Sequence, residues 1–151
     1  MGLFGLGKAP AKPLRLMAQE ADDLPAISAL VQDAALRAGD LSYDPAGRHF
    51  TLRMNRFCHE ADKGVPLRAP SVLRISCVTA VKMRGLDIKQ ENLPLSLLDI
   101  SLEALEAPAV ALTLRFAGAT NRDVRIEAEC VDVLLLDLAA PRRAKRMPEH
   151  F

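Results

Sequence analysis

The densest run of reactive side chains is Asn55-Arg56-Phe57-Cys58-His59-Glu60, where an alternating segment gives way to a polar one. Cysteine, histidine and glutamate together are the residue types of a metal site, or of a thiol nucleophile with its base. Their spacing opposes both readings. Adjacent side chains of an extended chain point to opposite faces, and no second ligand pair follows at the short interval that metal sites use. The other histidines, His49 and His150, add no pattern for a Cys–His pair assembled from distant positions. The cluster therefore predicts a strand end with solvated charges, with no catalytic residue, no metal ligand and no cofactor site.

Arg56 stands out within it. It shares parity with Phe50, Leu52 and Met54, so regular alternation sends it to the apolar side. A buried arginine needs a carboxylate or carbonyl partner, or a cleft open to water. Asp33 and Glu60 are the candidate partners, and a structural ion pair is favoured over an anion site. A ligand or partner site at this strand end would draw on Arg56, His59, Glu60 and Arg68, with Gln32 and Asp33 supplied by the preceding helix.

Two other segments carry less. Phe116-Ala117-Gly118-Ala119-Thr120-Asn121-Arg122 lacks the glycine spacing of a phosphate loop and no helix pattern follows it, so it reads as a hairpin turn. Arg142, Arg143, Lys145 and Arg146 form a small basic patch that reads as a solvated tail.

The elements that position these residues are mostly strands. From Leu95 to Leu138 apolar and polar residues alternate through LSLLDISLEAL, VALTLRFAG and DVRIEAECVDVLLLDL, the period of a sheet with one dry face. Leu98, Ile100 and Leu102 fall on one side, against Asp99, Ser101 and Glu103. LSYDPAGRHFTLRMNRF reads as a hairpin turning at Asp44-Pro45-Ala46-Gly47, and SVLRISCVTAVKMRGL as one long strand with Leu73, Ile75, Cys77, Val81 and Met83 together. Residues 14–17 fit a short first strand. The clearest helix is EADDLPAISALVQDAAL, capped by Asp22 or Asp23, with Pro25 in its first turn and an apolar stripe of Leu24, Ile27, Leu30, Val31 and Ala34. TLRMNRF…VLRISCVTAV and TLRFAG…VRIEAECVDV are alike, which fits either a duplicated three-stranded meander or two ordinary amphipathic hairpins.

Composition bounds the class. At 151 residues, half of them hydrophobic, a single domain can bury an ordinary core without disulfides or a structural metal. The formal net charge of +1, one Tyr and no Trp give no global pull towards nucleic acid or an anionic membrane. Cys58, Cys77 and Cys130 are an odd count without a CxxC pair; Cys77 and Cys130 read as small core residues in a reducing compartment. The opening MGLFGLGKAPAKP fits neither a signal peptide nor a myristoylation signal, and the longest apolar run, VDVLLLDL, is too short to span a bilayer. A cytoplasmic protein is expected.

Several stretches taken together resemble one family: ADDLPAISALVQDAALRAGDL, FTLRMNRFCHE, RAPSVLRISCV, the LSLLDISLE…LRFAG…VRIEAECVDVLLLDL region, and PEH near the terminus. The chain is similar over residues 14–151 to the domain of unknown function 2948 family, small proteins found mainly in alphaproteobacteria. His59 stands where that pattern often has an aromatic residue, and the turn after Gly118 is more polar than its glycine-rich version. The resemblance implies no activity, substrate, cofactor or functional residue.

The expectations are these. The fold is α+β and mainly antiparallel β, with roughly six or seven strands in a bent sheet or partly closed barrel and one main helix near residues 23–36. Residues 1–12 form a mobile segment, 13–140 the domain and 141–151 a basic irregular tail. The favoured function is a non-enzymatic module binding a partner protein or a small ligand, with homodimerisation through a sheet edge as one route. The alternative is a small enzyme with a pocket at the Arg56–Glu60 strand end.

Overall fold

Alternation dictates strands here, and strands dominate the computed structural model, which describes residues 12–59, 66–118 and 121–143. In chain order these are β1 (Arg15–Ala18), α1 (Leu24–Val31), β2 (Ala35–Arg37), β3 (Leu41–Asp44), β4 (His49–Phe57), β5 (Leu67–Ile75), β6 (Val78–Arg84), β7 (Pro94–Ala104), β8 (Val110–Phe116), β9 (Arg122–Ala128), β10 (Val133–Asp137) and β11 (Arg142–Arg143). All pair antiparallel in the order β1-β10-β5-β4-β2-β7-β8-β9-β6, with β3 branching from β4 and β11 from β5. The sheet does not close, since β1 and β6 are its two ends.

The topology is two meanders that exchange strands. β3-β4-β5 and β7-β8-β9 each run consecutively, but β6 leaves the first to pair with β9, and β10 leaves the second to pair with β5. The inner faces of both halves meet in one core, including Phe50, Leu52, Leu73 and Leu135 from the first and Leu97, Leu112, Leu114 and Ile126 from the second. Among the described residues no helix is long and apolar enough to cross a membrane.

The strand count is eleven rather than six or seven, for identifiable reasons. The expected single strands 71–86 and 123–138 each break in two, at Ser76-Cys77 and at Glu129–Asp132, where the chain passes from one half to the other. Cys77 adopts φ +60, which no extended strand permits. Two residues later Thr79 forms a bulge, so Val81 and Met83 regain the inward face that simple alternation gives them. Two irregularities cancel in parity and leave a pattern that reads as one strand. Cys77 and Cys130 are only half-buried at these breaks, rather than in the core. In β7 a bulge falls at Leu98, so Leu97 takes the inward position expected for Leu98 while Ile100 keeps it.

The helix is shorter than the stripe suggested. α1 buries Leu24, Ile27 and Val31 but stops at Val31, and Asp33 follows at φ +68. The backbone of Asp33 and Ala34 is taken up by Leu97, whose C=O accepts from Asp33 N–H at 2.8 Å and whose N–H donates to Ala34 C=O at 2.9 Å. Residues 35–37 then form β2, with Leu36 buried between two exposed neighbours. This short strand fills the gap between β4 and β7 and so joins the halves. The turn 45–48 is as expected, with Gly47 N–H donating to Asp44 Oδ1 at 3.1 Å. Arg142 and Arg143 pair with Arg68 and Leu67, so those two residues of the basic tail are strand; residues 1–11 and 144–151 lie outside the described residues.

If β2 is the joint, a proline there removes a ladder hydrogen bond at the sheet's centre. Ala35→Pro is expected to destabilise by about 3 kcal/mol or more, read by urea denaturation. A proline at exposed Ala26 in the first turn of α1 should cost far less.

Candidate functional site

β4 alternates inward and outward, and Arg56 falls inward as parity requires, at 0% exposure. Among the described residues its carboxylate partner is Asp137, the last residue of β10, which the sequence reading did not name; Glu60 lies outside the described residues. Arg56 Nε donates to Asp137 Oδ1 at 3.1 Å and Nη2 to Oδ2 at 2.8 Å, a bidentate pair. Ser71 Oγ donates to Oδ1 at 2.6 Å, and Leu14 N–H to Oδ2 at 2.8 Å. Burial pushes the Asp137 carboxyl upward, but the bonds from Arg56, Ser71 and Leu14 outweigh it and hold the group below the ordinary carboxylate range. Sequence reasoning missed Asp137 because the acid and the base are 81 residues apart. Arg56 is thereby committed to the interior.

The remaining candidates do gather. His59 Nε2 donates to the carbonyl of Gln32, at the C-cap of α1, over 2.7 Å, and lies 3.9 Å from Asp33. The Phe57 ring meets His59 edge-on at 4.7 Å between centroids and carries the Arg68 guanidinium 5.6 Å above it. Arg68 Nη1 donates to Asn55 C=O at 2.8 Å. Burial draws the Arg68 guanidinium down from its ordinary value, opposed by the nearby Asp33 and Cys58. Gln32, Asp33, His59 and Arg68 therefore share one strand end, while Arg56 faces away from them and Glu60 lies outside the described residues. Three of these contacts do structural work: a capped helix end, a stacked arginine and a satisfied carbonyl. Among the described residues no three His, Cys, Asp or Glu side chains gather as metal ligands.

A groove of about 580 Å³ opens beside this cluster, between α1 and the edge of β7, with Leu24, Ser28, Gln32 and Ile100 in its wall. Ser28 Oγ accepts the Ile100 N–H at 2.9 Å, so the helix satisfies an edge group that β2 is too short to reach.

The solvent face of the first half presents a different surface. Register places Arg15, Leu136, Val72 and Arg53 in one row across β1, β10, β5 and β4, and Met17, Leu134, Arg74 and Thr51 in the next. Met17 is 48% exposed and Leu138, just past β10, is 52% exposed; Leu134, Leu136 and Val72 are half-buried. The sequence signal was Leu134-Leu135-Leu136, three apolar residues in a strand where alternation allows two on the same face and one on the other. Leu135 is in the core, so its neighbours had to face outward.

The solvent face of the second half has opposite character. Arg115 Nε donates to Asp99 at 2.8 Å, Arg125 Nη1 to Glu103 at 3.0 Å, and Arg84 pairs with Asp123. The Arg115 bond holds the Asp99 carboxyl below its usual range, against a smaller upward push from burial. That face neutralises itself.

Removing one partner of a buried pair leaves the other uncompensated, at a cost of about 3–5 kcal/mol, whereas an apolar replacement of both is close to neutral. Arg56→Ala should therefore lose about that much stability, and Arg56→Met with Asp137→Leu should recover most of it, by denaturant titration. Because the folded Asp137 carboxyl titrates below its unfolded value of about 3.9, its contribution is complete above that pH and is lost as pH falls below it. The stability gap between wild type and Asp137→Asn should accordingly narrow in that acid window.

A family model described as a protein of unknown function, DUF2948, matches residues 14–150. No curated protein and no solved structure matches the chain. The chain belongs to the DUF2948 family.

Proposed function

We propose that this member of the DUF2948 family is a non-enzymatic module that binds a partner protein on the solvent face of β1, β10, β5 and β4. One observation carries the reading: Met17, Val72, Leu134, Leu136 and Leu138 form a contiguous aliphatic surface on a rigid sheet. Each Leu or Met that a partner covered fully would contribute about 1.5–3 kcal/mol, so a few suffice for specific binding once ordering costs are met. Scattered single hydrophobics need no explanation; a row joined by register does.

The edges of the sheet support the reading less well. β1 spans four residues, and β6 carries Lys82 and Arg84, charges that discourage edge pairing. A small enzyme at the Arg56–Glu60 strand end would have to use an Arg56 that is fully buried, with Nε and Nη2 bonded to Asp137. His59 and Asp33 would remain, on a surface where His59 already bonds a backbone carbonyl. Cys58, Cys77 and Cys130 stand outside any disulfide, which suits the reducing cytoplasmic setting that is part of the proposal.

A photo-crosslinking residue at Val72 tests the reading in the native host, with the same residue at Thr113 on the opposite solvent face as control. A discrete adduct is expected at position 72, absent at 113 and lost when Leu136→Glu is added without change in melting temperature. Identical adduct patterns at 72 and 113, or a pattern indifferent to Leu136→Glu, would overturn it.

A further inference from the structure

We infer that the occupant of this face is an acidic amphipathic segment of another protein, with aliphatic residues on the stripe and carboxylates meeting Arg15, Arg53 and Arg74. This rests on the partner-binding reading above and adds the partner's chemistry. Arg15 and Arg53 close the two ends of one four-strand row, with Leu136 and Val72 between them, and Arg74 sits beside Leu134 in the next. No ion pair or side-chain hydrogen bond engages Arg15, Arg53 or Arg74 among the described residues. On the other solvent face Arg84, Arg115 and Arg125 all have carboxylates. The same sheet thus gives Arg84, Arg115 and Arg125 carboxylates on one face and, among the described residues, leaves Arg15, Arg53 and Arg74 without one on the other, around its aliphatic surface.

Charge decides among the occupants. A second copy docked through the same patch would set arginine against arginine, which like-charge repulsion opposes. The chain's own flanks do not fit either: residues 1–11 contain no carboxylate side chain, and 144–151 hold Lys145 and Arg146 against Glu149. Single-stranded nucleic acid wants aromatic platforms, and this face offers aliphatic side chains between its arginines. An acidic aliphatic segment satisfies both features at once. Three strand spacings of about 4.8 Å separate Arg15 from Arg53, so its carboxylates should stand about 14 Å apart. A helix covers that in roughly ten residues at about 1.5 Å each.

The test is an NMR titration of the full chain with three amphipathic helical peptides sharing one leucine stripe and flanked by Glu, Gln or Lys. The Glu peptide is expected to shift the amides of Arg15–Met17, Val72–Arg74 and Leu134–Leu136 and to bind about tenfold tighter than the Gln peptide at low salt. That margin should shrink at higher ionic strength, as exposed charges are screened over about 10 Å at 0.1 M. Arg53→Glu with Arg74→Glu, both exposed positions, should invert the preference towards the Lys peptide; Arg53→Gln with Arg74→Gln should level it. Equal affinity for all three peptides at this face would overturn the charge inference and leave the partner-binding reading standing. Shifts elsewhere, or none, would overturn both. Tighter binding of a single-stranded oligonucleotide or an anionic vesicle than of the Glu peptide would overturn the choice of a protein. So would a dimer in sedimentation that Val72→Glu abolishes.

Discussion

Two backbone hydrogen bonds hold the point on which the architecture turns. Ser76 N–H donates to Asp132 C=O at 2.9 Å, and Glu129 N–H to Cys77 C=O at the same distance. They pin together the two places where the chain leaves one meander for the other. Without that crossing β5 and β9 would each lose a neighbour and expose a row of unpaired backbone groups. With it, neither half is complete alone: β10 belongs to the second half by sequence and to the first by pairing, and β6 the reverse. The halves are therefore one cooperative unit with one core.

The Arg56–Asp137 pair acts on the same exchange. Asp137 ends the strand that crosses over, and its carboxylate gathers donors from β4, β5 and the lead into β1. A buried pair contributes little net stability compared with apolar packing, but a shifted register would leave a charge buried without its partner. β10 needs such a constraint more than most strands. With Leu134, Leu135 and Leu136 in succession, a one-residue slip would cost it little in apolar burial. The ion pair supplies the register that hydrophobicity leaves loose.

Much of the fold was legible because alternation is local. The hairpin at Asp44–Gly47, the three strands after Leu95 and the inward parity of Arg56 all follow from period two. What was illegible depends on distant partners. Cys77 turns because β6 has a place waiting beside β9, and Thr79 restores the parity so that the pattern conceals both events. Residues 32–37 could extend the helix by periodicity alone; the gap between β4 and β7, some 20 to 60 residues away in sequence, draws Ala35–Arg37 into a strand. The strand-end cluster was half legible. Gln32, Asp33, His59 and Arg68 do meet, while Asp137 was not legible as a partner of Arg56 because it lies 81 residues away in sequence.

The solvent face of β10 follows from the same logic. A strand apolar on both faces is ordinarily one covered on both, as in sheets sandwiched between layers. Here the core covers Leu135 on one side, while Leu134 and Leu136 stand on the other beside Met17 and Val72. The fold does not require leucines there, since polar residues serve the equivalent outward positions of β9, Arg125 and Glu127. Stability cannot explain the difference, because both strands already bury their inward side chains fully. What separates the two faces is their relation to charge: one closes its arginines in ion pairs and the other surrounds aliphatic surface with open ones. The partner we propose, apolar and anionic, is the physical complement of such a surface.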